Sequence, residues 1–102
     1  MNKLNKLDLI KNVSAKTQYS QETVFQIYEA LFDEIKHSVM QYGRVSLLNF
    51  GSFYAILHKG HHVQFGAKTV AAYPIFKFAP SENLRQELRK AYKEHKLPIF
   101  DK

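Results

Sequence analysis

The segment between residues 43 and 80 combines several basic side chains with a complete absence of Asp and Glu. Its cations are Arg44, Lys59, Lys68 and Lys77, and it also holds His58, His61 and His62. At the average usage of about 25 % charged residues, several acids would be expected in a segment of this length. Two interpretations are open: buried strands with few charges of either sign, or a surface that faces a polyanion and excludes acids. We favour the second.

The three histidines also raise the possibility of a metal site, because imidazole is a common zinc ligand. A tetrahedral site needs three or four oriented ligands, whereas His61 and His62 are neighbours and would point to opposite faces of a strand. The chain has no cysteine, no G-x-S-x-G, no phosphate loop with Lys-Ser/Thr and no H-E-x-x-H. We therefore predict no metal, no cofactor, no small-molecule substrate and no enzymatic activity.

Composition predicts a small globular protein. The chain has 102 residues, 45 % of them apolar, and a formal net charge of +6, which fits one domain with one core. No apolar run approaches the roughly 20 residues that a membrane helix needs, and the N-terminus shows no secretory signal. The absence of cysteine fits a reducing compartment. We expect a soluble cytoplasmic protein without a membrane partner.

Helical periodicity dominates the first forty residues. Asn5 can cap a first helix that ends near Thr17, and Ser20 can cap a second helix over about residues 21–41. Gly43 is a natural stop after the second helix. These two elements predict a helical hairpin.

Strand patterns follow. We predict strands over residues 44–48 and 53–57, with a turn over 49–52 between them, a basic hairpin extension, and a third strand over 69–78. Pro74 in this third strand implies an edge position or a bulge.

A final helix carries a row of cations. Pro80 ends the third strand and Ser81 caps the helix. Basic side chains then recur at spacings of four, four and three, beside an apolar row, at Arg85, Arg89, Lys93 and Lys96. This row is either a second surface for a polyanion or an ordinary solvated helix face.

The apolar surface exceeds what one small core can hide. Six phenylalanines are involved: Phe25, Phe32, Phe50, Phe53, Phe76 and Phe78. A homodimer that shares helices and sheets would bury them.

Two motifs resemble those of the HU/IHF family of bacterial histone-like DNA-binding proteins. The stretch Leu47–Phe53 is similar to the family's glycine loop between its first two strands, and Phe78–Arg85 to its entry into the last helix. The likeness covers about residues 5–90. It implies an α+β fold with an N-terminal helical hairpin, a three-stranded antiparallel sheet with a β-ribbon arm, a C-terminal helix and an intertwined dimer. It also implies a nucleoid-associated protein that binds double-stranded DNA with little base specificity and bends or compacts it.

The resemblance and the charge pattern together define the predicted site. Residues 1–97 would form one domain, with the arm at about 58–68 and a tail at 98–102. The resemblance makes Gly51 the residue of the tight turn and places Phe32, Phe50, Phe53 and Phe78 in the dimer core. The predicted DNA-binding residues are Lys6, Arg44, His58, Lys59, His61, His62, Val63, Phe65, Lys68, Lys77, Arg85, Arg89 and Lys93.

The chain departs from the family pattern in its arm and in its last helix. The arm is short and lacks the Arg-Asn-Pro tip whose proline wedges between base pairs. Val63 or Phe65 would either replace that wedge or pack along the hairpin. Glu82 stands where the family favours Lys. One alternative is therefore a protein-interaction module that kept the fold and lost DNA binding, and RNA is a further alternative partner because backbone contacts dominate binding to both nucleic acids.

Overall fold

A computed structural model describes residues 3–62 and 69–99, without the side chains of residues 61, 62, 69 and 70. The described part contains helices α1 (Lys6–Thr17), α2 (Gln21–Tyr42) and α3 (Glu82–Lys93), and strands β1 (Arg44–Leu47), β2 (Gly51–His58), β3 (His61–His62), β4 (Thr69–Val70) and β5 (Tyr73–Pro80). The chain folds as two compact units. One holds the chain up to Lys36 and from Pro98 onward, and the other is His37–Leu97.

Local capping chemistry sets the starts of α1 and α2. The Asn5 side chain accepts a hydrogen bond from the Asp8 amide at 3.0 Å, and the Asp8 carboxylate accepts one from the Asn5 amide at 3.2 Å. This reciprocal pair satisfies two amides that a helix start otherwise leaves without partners. The Ser20 hydroxyl does the same for the Thr23 amide at 3.1 Å. Both predicted caps are confirmed.

Gly43 ends α2 as predicted. Its φ of +86° lies in the left-handed region that glycine enters without a steric penalty, and its amide donates to the Val39 carbonyl at 2.7 Å. The Gly43 carbonyl in turn accepts from the Ala55 amide at 3.1 Å. The chain therefore passes from the helix directly into the sheet.

The sheet is antiparallel with the order β1-β2-β5. One row across it joins Arg44, Tyr54 and Lys77, and the next joins Val45, Phe53 and Phe78. Pro74 lies on β5, an edge strand, as its missing N–H predicts. The predicted strand over 69–78 is wrong in extent, because the pairing is interrupted between β4 and β5 and β5 continues to Pro80.

Strands β3 and β4 pair with each other, His61 opposite Val70 and His62 opposite Thr69. They correspond to the base of the predicted arm. The rest of the arm, residues 63–68, lies outside the described residues.

Gly51 does not make the turn between β1 and β2. The turn covers residues 48–50, and Asn49 adopts the left-handed conformation with a φ of 64°. Gly51 is the first residue of β2. A Cβ atom at this position would lie 2.5 Å from the Ala79 carbonyl oxygen and 2.7 Å from the Phe78 ring. The glycine is needed for the close approach of β5.

Helix α3 is tied to the β1–β2 turn at its N-terminal end. The Ser81 hydroxyl accepts from the Leu84 amide at 3.1 Å, which confirms the predicted cap. The Ser81 amide donates to the Phe50 carbonyl at 2.9 Å, and the Asn83 side chain donates to that of Asn49 at 2.6 Å.

None of the described helices has the length and apolarity that crossing a bilayer demands.

Candidate nucleic-acid interface

The strand register sorts the cations of the sheet onto one face. Residues directly opposite each other in an antiparallel pair project to the same side, and alternate residues along a strand share that side. We call this side the polar sheet face. It consists of Arg44, Ser46, Ser52, Tyr54, Ile56, His58, Tyr73, Ile75, Lys77 and Ala79. It has cationic groups and no carboxylate, because the whole segment 43–80 lacks acids.

Arg44 is held in place by hydroxyl groups. Its Nη2 donates to Ser52 Oγ at 3.1 Å and its Nε to Ser46 Oγ at 3.4 Å, while the two hydroxyls lie 3.0 Å apart. Its guanidinium carbon lies 5.8 Å from the centroid of the Tyr54 ring. These contacts use two of the five guanidinium N–H donors. A fixed guanidinium with donors to spare suits a phosphate oxygen pair.

Lys77 lies across Tyr54 from Arg44. Arg44 pairs in register with Tyr54 on β2, and Tyr54 pairs with Lys77 on β5. Lys77 is exposed. The row thus places one cation on each side of the Tyr54 ring, and all three side chains project from the same face of the sheet.

Two rings stack at the arm end of the polar sheet face. The His58 and Tyr73 ring centroids are 4.8 Å apart and the ring planes differ by only 17°. Both residues are exposed, as is Lys59 just beyond them. His61 and His62 follow in β3, and the predicted site residues Val63, Phe65 and Lys68 lie outside the described residues.

Lys6 has partners within the unit that ends at Lys36, which holds α1 and most of α2 and which we call the helical unit. Its ammonium pairs with the Glu29 carboxylate and lies 4.7 Å from the Phe25 ring centroid and 5.3 Å from that of Tyr28. Both side chains of the ion pair remain about half exposed. The geometry gives Lys6 a role in joining α1 to α2, and its assignment to DNA stays a prediction.

The cations of α3 are partly neutralised. The Glu82 carboxylate lies 3.3 Å from the Arg89 guanidinium and 3.9 Å from that of Arg85. Lys93 is exposed at the end of the helix. Lys96 lies beyond α3 and pairs with Glu94 at 3.1 Å. Sequence reasoning noted Glu82 as a lost phosphate contact but missed that it would bind both arginines.

The opposite side of the sheet carries aromatic side chains. Phe78 has its ring centroid 4.9 Å from that of Phe53 and 5.4 Å from that of Phe50, and Phe53 lies 6.0 Å from Phe76. We call these four residues the aromatic cluster. Phe32, the other predicted dimer residue, lies in the helical unit with its ring 4.5 Å from Tyr28. Three of the four predicted dimer residues are therefore brought together.

Sequence reasoning missed Ser46, Ser52, Tyr54 and Tyr73. The alternation of each strand was visible, but only the register shows that these residues share a face with Arg44 and Lys77. Among the described residues, no group of three or more His, Asp or Glu could hold a metal ion.

Comparison with solved structures identifies the fold. The HU of Anabaena, solved in a cocrystal with DNA, matches with 19 % identity and a TM-score of 0.72, over 83 % of this chain and 97 % of that one. A variant of HU from Thermotoga maritima matches with 21 % identity and a TM-score of 0.64, over 83 % and 99 %. No curated protein matches. These likenesses confirm the predicted HU-like α+β fold.

The sequence model for bacterial DNA-binding proteins matches residues 4–89, which is most of the chain. Its span includes both helices of the hairpin, the sheet and the first two turns of α3. The chain belongs to the bacterial DNA-binding protein family, the family of HU and IHF.

Proposed function

We propose that this protein is a histone-like architectural protein of the bacterial nucleoid. It binds duplex DNA as a homodimer, mainly by charge and shape, and bends or compacts it. The observation that carries this proposal is the row of Arg44, Tyr54 and Lys77 on a sheet face without carboxylates. Family membership supports it.

Duplex DNA fits this face because its dominant feature is a dense line of phosphates. A protein that neutralises phosphates releases condensed counterions, which supplies affinity without regard to sequence. Arg44 is positioned for this by its two serine partners, and Lys77 extends the same row. We do not propose that a helix reads base sequence in the major groove.

The arm and α3 would add contacts on either side of the sheet. Residues 58–68 would reach along the minor groove, with Lys59 and Lys68 as phosphate ligands and Val63 or Phe65 as a wedge. Arg85, Arg89 and Lys93 would contribute once Glu82 is displaced from the arginines. Residues 1–97 would act together as one domain, with 98–102 as a tail.

The aromatic cluster supports the homodimer. Three of its rings remain exposed, at 48 % for Phe50, 50 % for Phe76 and 40 % for Phe78. Aromatic rings contribute strongly to stability when they are buried in a core or an interface. The helical unit also leaves Phe32 41 % exposed. Burial of apolar surface is worth about 25 cal/mol per Å², so a second copy that covers these rings would stabilise the fold.

The test is the affinity for a random-sequence duplex of about 30 base pairs, titrated across salt. The logarithm of affinity should fall steeply with the logarithm of salt concentration, by about 0.9 per phosphate contact. The double variant Arg44→Ala/Lys77→Ala should lower that slope by roughly 2 for each protomer that engages the DNA. Lys11→Ala/Lys16→Ala removes the same charge from exposed positions of α1 and is the matched control.

Two other double variants test separately whether the arm and α3 contact the duplex. A loss of slope in Lys59→Ala/Lys68→Ala would support the arm, and one in Arg89→Ala/Lys93→Ala would support α3. Absence of duplex binding even at low salt would overturn the proposal and leave the fold as a protein-interaction module.

A further inference from the structure

Helix α3 ends in a well-defined turn. The His95 amide donates to the Tyr92 carbonyl at 3.1 Å, and the Lys96 amide donates to the Ala91 carbonyl at 2.9 Å. His95 itself adopts the left-handed conformation with a φ of 57°. This pair of hydrogen bonds around a left-handed residue is the Schellman motif, which satisfies the last carbonyl groups of a helix. The motif fixes the direction in which the chain leaves α3.

Leu97 follows this turn and lines an open groove together with the last turns of α3. The groove has a volume of about 350 Å³, and its other lining residues are Leu88, Arg89, Tyr92 and Lys93. Its wall is apolar, because the two basic residues line it with the carbon stems of their side chains. Leu88 is 44 % exposed and Tyr92 is 65 % exposed. We call these five residues the C-terminal groove.

Most of the C-terminal groove lies beyond the part of the chain that matches the family. The family model covers residues 4–89, whereas Tyr92, Lys93 and Leu97 come after it. Family membership therefore assigns no role to this groove, and its own chemistry decides what it can bind.

Cations stand at the edge of the C-terminal groove. The Lys93 side chain makes no ion pair with any residue that the structure describes. The Arg89 guanidinium lies 3.3 Å from the Glu82 carboxylate, but both side chains of this pair are more than half exposed. Exposed ion pairs contribute little to stability, so Arg89 can exchange Glu82 for the carboxylate of a ligand.

An apolar wall beside cations favours an acidic peptide with an apolar anchor side chain. The volume of the groove lies at the small end of the range of about 300–1,000 Å³ that is usual for ligand pockets, so it suits one or two side chains. Duplex DNA presents phosphates to the cations and would leave the apolar wall uncovered. An amphipathic helix enters a bilayer by a convex apolar face, whereas this wall is concave.

We propose that the C-terminal groove binds an acidic peptide segment of another protein. A Leu or Phe side chain of that segment packs against Leu88, Tyr92 and Leu97, and carboxylates next to it pair with Arg89 and Lys93. This inference goes beyond the proposed function, because it gives the protein a second kind of partner on a surface separate from the polar sheet face.

The test measures the binding of three fluorescein-labelled peptides to the full chain by fluorescence anisotropy. The first is a run of Glu residues with a central Leu-Phe pair, the second has Ser-Ser in place of Leu-Phe, and the third has Gln in place of Glu. Full burial of one such apolar side chain corresponds to roughly 10-fold to 150-fold in affinity. The Ser-Ser peptide should therefore bind at least about 5-fold less tightly than the Leu-Phe peptide, since the groove is open and burial is incomplete. The Gln peptide should also bind less tightly and should lose the salt dependence that the Glu peptide shows.

Two variants locate the binding site, each with a matched control. Tyr92→Ser removes the ring from the apolar wall and should abolish the preference for the Leu-Phe peptide, while Tyr42→Ser, at another exposed tyrosine of α2, should keep it. Lys93→Gln should weaken binding of the Glu peptides, while Lys11→Gln removes the same charge from an exposed position of α1 and should not. Circular dichroism checks that each variant is folded.

The inference is overturned by equal affinity for the Leu-Phe and Ser-Ser peptides, by absence of saturable binding, or by a preference that survives in folded Tyr92→Ser. Two results would assign the groove to another occupant and overturn it as well. A smaller assembly of Tyr92→Ser at the same protomer concentration would mean that a second copy covers the groove. A gain of peptide affinity in Phe100→Ser would mean that the tail of the same chain competes for it.

Discussion

The close approach of β5 to Gly51 makes a quantitative prediction about stability. In Gly51→Ala the new methyl group would meet the Ala79 carbonyl oxygen at 2.5 Å and the Phe78 ring at 2.7 Å. The carbonyl belongs to a paired strand and cannot move without disturbing the β2–β5 register. Overpacking of this kind costs typically 1–3 kcal/mol. With three close contacts, one of them to a backbone oxygen and two to the Phe78 ring, we expect a loss of about 3 kcal/mol, at the top of that range.

Gly43 offers a matched control because its constraint is different. Nothing lies within 4 Å of a Cβ built there, but its φ of +86° disfavours other residues. Gly43→Ala should cost about 1–2 kcal/mol from the left-handed backbone alone. Gly43→Asn should cost less, because Asn tolerates that conformation.

Thermal unfolding followed by circular dichroism measures all three variants at one protomer concentration, since the stability of the proposed dimer would depend on concentration. A loss of 1 kcal/mol lowers the Tm of a domain of this size by roughly 4–8 °C. The Tm of Gly51→Ala should therefore be lower than that of Gly43→Ala, and the Tm of Gly43→Ala lower than that of Gly43→Asn. A Gly51→Ala variant at least as stable as Gly43→Ala would refute the reasoning about the close approach.

Three further predictions concern charges and positioning groups. Glu82→Gln should release the two arginines of α3 and raise duplex affinity at low salt; unchanged affinity would mean that those arginines do not face DNA. Lys6→Met should lower stability by about 1 kcal/mol through its lost ion pair and ring contacts and leave the salt slope of DNA binding unchanged; a slope lower by one unit in binding titrations would return Lys6 to the interface. Ser52→Ala should weaken duplex binding several-fold at every salt concentration without changing the slope, because Arg44 keeps its charge and loses its support; a reduced slope would argue that the contact itself is lost.

Local chemistry carried most of the fold prediction. Asn5, Ser20 and Ser81 each cap a helix through their own side chains, so sequence spacing alone located the helix starts. Gly43 and Pro80 likewise mark ends that depend on their own backbone preferences.

The register-dependent features could not be predicted in the same way. That Tyr54 lies between Arg44 and Lys77, or that Gly51 faces Phe78, depends on which residues of different strands stand opposite each other. The pairing of Glu82 with Arg89 spans two helical turns and depends on side-chain reach rather than on spacing alone. Neither the pairing of strands nor the reach of a particular side chain can be read from one sequence.

The pairing of His58 with Tyr73 closes the sheet at a fixed point, whatever the chain does between them. Doubling the length of a flexible insertion costs only about 0.6 kcal/mol in closure entropy. Segments of different length can thus connect β2 to β5 without changing the register of the two strands. If this segment holds DNA as proposed, changing its length and its tip would alter DNA binding while β2 and β5 keep their register. Residues 59–72 are therefore the segment to exchange when the protein is engineered, with His58 and Tyr73 kept as its fixed ends.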